Sequence, residues 1–341
     1  MNELHQLQDT AKALVAPGKG ILAADESSGT IEKRLAQVGV ASTDEHRRAY
    51  RELLFATPGA GDFISGVILF DETIRQSATD GTPFPQLLAG RGIIPGIKVD
   101  KGTTPLALAQ AETVTEGLDG LRERFAEYRT LGARFAKWRA TYSIGSGRPS
   151  DYCIWVNAHA LARYAALAQE AGLVPIVEPE VLMDGDHSIE ACLSATGRAL
   201  NALYTELHDQ RVELSGTLLK PNMVLPGQEA ETHAGTDEIV ESTLECLYRH
   251  VPAAVPGIVF LSGGQGDEEA TLRLNAMNER GPHPWELSFS FGRALQAPVL
   301  RTWQGRAENV TAAQRQLLHR AHMNGAARSG RYSASLERAA A

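Results

Sequence analysis

The sequence predicts an α/β protein with a single domain, a (β/α)8 TIM barrel in which eight parallel strands alternate with helices. Eight short segments rich in Val, Ile, Leu and Phe lack strict alternation of apolar and polar residues, which is typical of parallel strands covered by helices. Amphipathic helical stretches separate these segments at a roughly even interval. A chain of 341 residues lies within the length range of such barrels.

The apolar runs and the helical periodicity set the bounds of the predicted elements. The strands are expected at 20–25 (GILAAD), 64–70 (ISGVILF), 94–99 (IPGIKV), 133–139 (ARFAKWR), 174–180 (VPIVEPE), 216–222 (GTLLKPN), 257–263 (GIVFLSG) and 287–292 (LSFSFG). The helices include 105–116, 151–171, 187–214, 237–250 and 267–278. The domain spans residues 1–341, and residues 326–341 form a mobile C-terminal tail, since their Gly, Ser and Ala side chains offer little to pack.

The competing fold is a doubly wound open sheet. That fold usually carries the glycine pattern G-x-G-x-x-G directly after its first strand, where the backbone approaches a phosphate. Residues 24–30 read ADESSGT and do not match this pattern. The barrel is therefore the favoured fold.

Composition and charge exclude several classes of function. The formal net charge of −8 argues against general binding to nucleic acid or to an anionic membrane. Three widely spaced cysteines, Cys153, Cys192 and Cys246, suggest reduced thiols and no disulfide framework. The first residues, MNELHQ, lack the basic and apolar regions of a signal peptide, and no apolar run is long enough to cross a membrane. We expect a cytoplasmic protein.

Charged residues cluster at the carboxyl ends of the predicted strands, where these barrels place their active sites. Unpaired charge in an apolar barrel is costly, so we expect these side chains to pair with one another or to bind a charged ligand. In chain order they are Asp25, Lys98, Lys137, Arg139, Glu178, Glu180 and Lys220.

Lys220 is a candidate nucleophile. It stands in the largely apolar run LLKPNMV, and Lys137 projects from a nearby strand. Desolvation and a second cation both favour the neutral amine, which attacks ketone carbonyls to form a Schiff base. The alternative is a lysine at a strand end that extends its ammonium group into solvent.

Glu178 and Glu180 are candidate acids. In a strand their spacing places both side chains on one face. Two close carboxylates raise the pKa of one of them, so that one can keep a proton and help to expel water during imine formation. The alternative is a charge pair in which Lys137 is the counter-ion.

A phosphate site is predicted after the seventh and eighth strands, where barrels often bind phosphate. Residues 262–265 (SGGQ) precede a helix that starts near Asp267, and glycines and a helix N-terminus favour an anion. Arg293 follows the eighth strand. The run LSGGQ also matches the signature of ABC-type ATPases, but the P-loop that those proteins need is absent. The ten histidines show no HExxH motif, so we expect no metal.

Seven motifs in this order resemble the class I fructose-bisphosphate aldolases, over roughly residues 19–332. They are GILAADES (20–27), GIKVDKG (96–102), FAKWR (135–139), IVEPE (176–180), LKPNM (219–223), FLSGGQ (260–265) and FSFGRALQ (289–296). The resemblance implies reversible cleavage of fructose 1,6-bisphosphate to dihydroxyacetone phosphate and glyceraldehyde 3-phosphate through a lysine Schiff base. It implies no metal and no cofactor, and a homotetramer.

The resemblance also implies a role for each matching residue. Lys220 would form the Schiff base, Glu178 would act as general acid and base, Glu180 and Lys137 would assist, and Asp25 would position the C4 hydroxyl and share in its deprotonation. Ser262, Gly263 and Arg293 would hold the C1 phosphate. Ser27, Thr30, Lys98 and Arg139 would form the C6-phosphate side, with Lys33 and Arg34 nearby.

One departure and two alternatives accompany this resemblance. Some members of the family end in a tyrosine on a mobile tail, whereas the last tyrosine here is Tyr332, to which that role is not transferred. A different Schiff-base barrel aldolase would need only one phosphate site, and the two separate basic sets favour a bisphosphate. A non-catalytic sugar-phosphate binder or scaffold on the same barrel is the other alternative.

Overall fold

A computed structural model gives the structure of residues 3–109 and 111–339. Eight parallel strands form a closed barrel, so the predicted (β/α)8 fold is confirmed. The barrel strands are β1 (Gly20–Ala24), β2 (Ile64–Leu69), β3 (Ile94–Lys98), β6 (Phe135–Tyr142), β7 (Val174–Val181), β8 (Leu218–Leu219), β9 (Gly257–Phe260) and β10 (Glu286–Phe291). Their spatial order around the barrel is β1-β10-β9-β8-β7-β6-β3-β2.

Helices surround the barrel and follow most of its strands. They are α1 (Glu3–Leu14), α2 (Ser28–Ala36), α3 (Asp44–Phe55), α4 (Asp71–Ile74), α5 (Phe84–Ala89), α6 (Leu121–Thr130), α7 (Asp151–Glu170), α8 (Ile189–Asp209), α9 (Thr236–His250), α10 (Asp267–Glu279), α11 (Arg293–Trp303), α12 (Val310–Ala327) and α13 (Ala334–Ala339). Short 3-10 helices lie at Ala60–Asp62, Leu214–Gly216 and Ala307–Asn309. In the described part of the chain, no helix is long and apolar enough to span a membrane.

Apolar side chains fill the barrel at the amino-terminal end of its strands. Leu7, Leu14 and other residues of α1 pack against inward-facing residues of the strands, including Phe135. The ring of Phe135 fills this space so closely that a Cβ at Gly96 would lie 2.3 Å from it. Since α1 and this cluster close the amino-terminal end, the carboxyl-terminal mouth is left for the charged residues.

The helix predicted at 105–116 is wrong. The chain there forms an antiparallel hairpin of β4 (Thr103–Pro105) and β5 (Thr113–Thr115). β-branched residues at 113–115 favour a strand, and the side chain of Thr115 donates to the carbonyl of Arg139, which anchors the hairpin to β6. A right-handed helix cannot run through this segment, because Leu108 and Ala111 have positive φ angles of 61° and 59°.

The sixth barrel strand is shorter than the predicted 216–222. Only Leu218–Leu219 is paired as β8, because a 3-10 turn precedes it and Pro221 has no N–H to donate. The N–H of Lys220 nevertheless donates to the carbonyl of Val177 at 2.8 Å. Lys220 therefore holds the register of the sheet although it lies just past the end of the strand.

The segment after Gly325 packs more than its composition predicted. Tyr332 is buried, its N–H donates to Asn275 Oδ1 at 2.8 Å, and its hydroxyl donates to Glu337 at 3.0 Å. Glu337 also accepts from Arg320 and contacts His319 at 2.8 Å. These ionic contacts hold α13 against α12. They come from His319, Arg320 and Glu337, which the Gly, Ser and Ala content of the segment did not indicate. Residues 340 and 341 lie outside the described part of the chain.

Candidate active site

A cavity of about 300 Å³ opens at the carboxyl-terminal mouth of the barrel. Every residue that the sequence suggested for catalysis or phosphate binding lines it, although the contributing segments are far apart in the chain. These residues are Asp25, Ser27, Thr30, Lys98, Lys137, Arg139, Glu178, Glu180, Lys220, Ser262, Gly263 and Arg293.

Four of these side chains form a continuous ionic chain across the barrel. Lys220 Nζ lies 3.0 Å from Glu178 Oε1, and Lys137 Nζ lies 3.1 Å from Glu178 Oε2 and 2.8 Å from Asp25 Oδ2. The contact between Lys137 and Glu178 is ionic rather than a well-angled hydrogen bond. Lys220, Glu178 and Lys137 are each less than 5 % exposed. The order Lys220–Glu178–Lys137–Asp25 places a carboxylate beside each amine.

The strands determine this order. In the parallel register Val177 pairs with Leu219, so that the next pair along the strands is Glu178 and Lys220. On β6 and β7 the spacing of two residues places Lys137 with Arg139, and Glu178 with Glu180, on the same inward face. The charged residues at the strand ends thus lie close together, as the sequence predicted.

Burial and charge compete at the buried carboxylates. Burial raises the pKa of Glu178, but Lys137 and Lys220 lower it by more, so its pKa lies below the ordinary value. The same balance, with Lys137 as the principal cation, holds the pKa of Asp25 well below its ordinary value. Burial opposes the charge on Lys137, but Asp25 and Glu178 raise its pKa above the ordinary value.

The expectation that one of the two carboxyls, Glu178 or Glu180, has a raised pKa does not hold for Glu178, whose pKa lies below its ordinary value. Glu180 accepts a hydrogen bond from Arg139 Nε and forms an ion pair with it. Glu178 faces Lys137 and Lys220. The alternative reading, in which Lys137 is the counter-ion of a carboxylate at the strand end, describes the geometry.

Asp100 belongs to this charged cluster but was missed in the sequence. Its Oδ2 lies 3.7 Å from Lys137 Nζ and its Oδ1 lies 3.4 Å from Lys98 Nζ. It also accepts from the N–H groups of Gly102 and Arg139, each at 3.3 Å. Its spacing of two residues from Lys98 could have indicated it, because the same spacing identified Glu178 and Glu180.

One group of lining residues comprises Ser27, Thr30, Lys98 and Arg139. Ser27 is the N-cap of α2, but its hydroxyl lies 3.1 Å from Thr30 Oγ1 and does not cap the helix. Two hydroxyls near a helix N-terminus and two cations form a suitable environment for a phosphate. Of the two basic residues expected nearby, Arg34 lines the cavity and Lys33 does not.

A second group of lining residues comprises Ser262 and Gly263, which follow β9, and Arg293, which begins α11. Ser290 and Gly292 also line the cavity and were not anticipated as site residues. Backbone N–H groups at the start of α11, a buried hydroxyl and a guanidinium together favour an anion. The cavity lining thus contains two basic groups that come from different strands, one from β1, β3 and β6 and one from β9 and β10.

Glu26 was missed as well. It lines the cavity, is 8 % exposed, and accepts from Arg51 at 2.6 Å, from Arg34, and from Gln296 at 2.8 Å. Burial raises the pKa of Glu26, but the two arginines lower it below the ordinary value. Nothing local in the sequence indicates these partners, since Gln296 lies 270 positions away.

No grouping of three or more His, Cys, Asp or Glu side chains suited to a metal ion occurs within residues 3–109 and 111–339. The side chains that line the cavity supply amines, carboxylates and hydroxyls. A primary amine beside a carboxyl group is suited to imine formation. Flanking cations and helix N-termini are suited to phosphate.

Comparisons with known proteins agree with this geometry. The model of the family "Fructose-bisphosphate aldolase class-I" matches residues 6–341. A "Probable fructose-bisphosphate aldolase class 1" of Xanthomonas campestris pv. campestris is 57% identical over 330 residues, which cover 96% of this chain and 99% of that protein. "Fructose-bisphosphate aldolase 6, cytosolic" of Arabidopsis thaliana is 56% identical over 328 residues, 96% of this chain and 91% of that protein.

A solved structure is similar throughout. It is fructose-bisphosphate aldolase from Plasmodium falciparum, in complex with TRAP and a small-molecule inhibitor. The TM-score is 0.96 at 51% identity, and the match covers 98% of this chain and 96% of that chain. Because a family model and relatives of this identity match nearly the whole length, the chain belongs to the class I fructose-bisphosphate aldolase family.

Proposed function

We propose that this protein is a lyase that cleaves fructose 1,6-bisphosphate reversibly into dihydroxyacetone phosphate and glyceraldehyde 3-phosphate, through a Schiff base on Lys220. The observation that carries the proposal is the buried contact of 3.0 Å between Lys220 Nζ and Glu178 Oε1, in a cavity whose lining contains two basic groups. Membership of the family supports the substrate, and the geometry is compatible with the roles proposed for these residues.

Imine formation begins within the pair of Lys220 and Glu178. Transfer of one proton from the ammonium to the carboxylate produces the neutral amine and the protonated acid together, and the short contact allows this without any other group. The amine then attacks the C2 ketone. Glu178 protonates the hydroxyl of the resulting carbinolamine, water leaves, and a protonated imine remains on Lys220.

Cleavage of the C3–C4 bond uses the protonated imine as an electron sink. Asp25 takes the proton of the C4 hydroxyl, with Glu178 assisting, and the bonding electrons move to the imine nitrogen as an enamine forms. The aldehyde phosphate is released. Lys137 lies between both carboxylates and stabilises the negative charge that develops on the departing oxygen.

Completion of the cycle reverses the first steps. Protonation of the enamine at C3 restores the imine, and water adds to release dihydroxyacetone phosphate and the free lysine. Glu178 can supply and remove the protons, because one of its oxygens contacts Lys220 and the other contacts Lys137. The condensation is the same sequence run backwards.

Two basic regions support a substrate with two phosphates. Ser262, Gly263 and Arg293 would hold the C1 phosphate, and the set Ser27, Thr30, Lys98 and Arg139 would hold the C6 phosphate. A Schiff-base aldolase for a monophosphate would need only one of these regions. A non-catalytic binder would not need the buried ionic chain, which costs desolvation energy to maintain.

The cellular setting is part of the proposal. Two Arabidopsis relatives, 56% and 53% identical, are named cytosolic, which supports a cytoplasmic location. We propose a homotetramer on the basis of the family. Large apolar side chains exposed on α7, Tyr152 and Trp155, support burial of part of the surface between subunits.

The experiment that tests the function measures aldol cleavage after exhaustive dialysis against EDTA. Cleavage of fructose 1,6-bisphosphate that survives chelation supports an amine mechanism. Lys220→Met should abolish this cleavage while the thermal unfolding transition stays cooperative. Activity that disappears with the chelator and returns with a divalent cation would contradict the proposal.

A further inference from the structure

Gln296 is a buried amide whose hydrogen bonds join three segments around the active site. It lies on α11, one turn beyond Arg293, and is fully buried. Its Nε2 donates to the carbonyl of Ala23 at 2.7 Å and to Glu26 Oε1 at 2.8 Å. Its Oε1 accepts from the hydroxyl of Tyr50 at 3.0 Å. Both hydrogens and the oxygen of the amide are used, so its orientation is fixed.

The bond to Ala23 lies just past the end of the pairing between β1 and β10. This ladder pairs Ile21 with Ser290 and Leu22 with Phe291, and then it ends, whereas Ala23 still pairs with Ile68 of β2. The side chain of Gln296 donates to the Ala23 carbonyl and so ties the end of β1 to α11 two residues before Asp25.

The bond to Glu26 connects Gln296 to Arg34, a basic residue of the cavity. Glu26 also accepts from Arg34, which lines the cavity, and from Arg51, which does not. A change in the position of Glu26 would therefore move the guanidinium of Arg34. Gln296 is thus tied to the backbone before Asp25 on one side and to the cation next to the phosphate region on the other.

We infer that Gln296 is a positioning residue, which aligns Asp25 with the C4 hydroxyl by fixing the end of β1 to α11. The inference rests on the proposed Schiff-base mechanism and deepens it. It divides the reaction into two parts: imine formation depends on Lys220 and Glu178, which lie on the other side of the barrel, whereas C3–C4 cleavage depends on Asp25. Loss of Gln296 should slow the second part and spare the first.

The test compares the two parts in the same variant. Gln296→Met keeps the approximate size of the side chain and removes its hydrogen bonds. Dihydroxyacetone phosphate has no C4, so borohydride trapping of its imine reports Lys220 and Glu178 without Asp25. We expect kcat for cleavage of fructose 1,6-bisphosphate to fall by about 10- to 100-fold, because a shift of about 1 Å in a reacting group costs about that much. Trapping should stay within about threefold of the wild-type rate, since the pair that forms the imine is untouched.

A matched control separates this role from the general cost of losing a buried amide. Asn324 is equally buried, accepts from Thr271 at 2.9 Å and donates to the carbonyl of Arg320 at 2.8 Å, away from the cavity. Asn324→Leu should lower the unfolding temperature and leave the ratio of cleavage to trapping unchanged. Gln296→Asn, which is too short to reach both acceptors, should repeat the effect of Gln296→Met.

Three outcomes would overturn the inference. They are a Gln296→Met protein with wild-type kcat, a proportional loss of cleavage and trapping, and failure of both Gln296 variants to fold while the Asn324 variant folds. The wild-type protein is trapped in parallel. Absence of any adduct in the wild type would contradict the proposed function instead, so the two failures are distinguishable.

Discussion

Lys220 Nζ lies 3.0 Å from Glu178 Oε1 because the two residues are neighbours in the parallel register of β7 and β8. The N–H of Lys220 donates to the carbonyl of Val177, which fixes this register one position past the last paired residue of β8. Both side chains are almost fully buried. The contact is therefore a property of the sheet rather than of a loop, and the proposed role of Lys220 depends on backbone pairing.

Replacement of Glu178 by glutamine should remove the proton donor and acceptor while keeping the shape of the side chain. We expect kcat for cleavage to fall by about 10²- to 10⁴-fold, the range typical of general acid–base catalysis. Borohydride trapping of the imine should slow as well, because expulsion of water needs the same acid. Steady-state kinetics and trapping rates measure both effects, and a kcat within threefold of wild type would be incompatible with the proposed role.

Replacement of Lys137 by methionine should destabilise the fold. It leaves Asp25 and Glu178 buried without the cation that contacts both, and breaking a buried ion pair costs about 3–5 kcal/mol. Urea unfolding followed by circular dichroism measures the change. Arg122→Met is the matched control: it breaks the exposed pair with Glu170 and should leave the unfolding midpoint nearly unchanged. Equal effects of the two substitutions would contradict the structure.

The stability of the protein should fall at acidic pH. The pKa values of Asp25 and Glu178 in the folded protein lie below their ordinary values of 3.8 and 4.5, so the unfolded chain binds protons first as the pH falls. The stabilisation by these carboxylates is complete above about pH 5 and is lost progressively below it. Lys137→Met should weaken this dependence, because the cation that lowers both pKa values is gone. Unfolding free energies at several pH values test this, and an unchanged pH dependence in the variant would refute it.

The two basic regions should be separable with substrates that differ by one phosphate. Arg139→Gln should lower kcat/KM for fructose 1,6-bisphosphate by about 10- to 100-fold, since a hydrogen bond to a charged group contributes about 1.5–3 kcal/mol. Its effect on fructose 1-phosphate should be much smaller. Ser262→Ala should reduce kcat/KM for both substrates similarly. If Arg139→Gln impairs both substrates equally, the assignment of the C6-phosphate side is wrong.

The sequence predicted the barrel and the charged residues at its mouth because both depend on local patterns. Apolar runs mark the strands, and the spacing of Lys137 with Arg139 and of Glu178 with Glu180 follows from strand geometry. Fold topology then brings these residues together. The same spacing separates Lys98 from Asp100, so it could have indicated Asp100 as well.

The rest depends on long-range contacts that no local pattern encodes. Glu26 and Gln296 are far apart in the chain, and only the closed barrel places them 2.8 Å apart. The hairpin at 103–115 was mistaken for a helix because apolar residues at 106 and 109 mimic helical spacing. The sequence predicted a raised pKa for one carboxyl of the pair Glu178 and Glu180, but it does not show that two lysines contact Glu178 and lower its pKa.

The most direct test locates the covalent adduct. The wild-type protein is reduced with borohydride in the presence of dihydroxyacetone phosphate, digested, and mapped by tandem mass spectrometry. We predict one modified residue, Lys220, and unmodified Lys137 and Lys98 in the same digest. An adduct on another lysine, or an active enzyme that yields no adduct, would contradict the assignment of Lys220 as the Schiff-base residue.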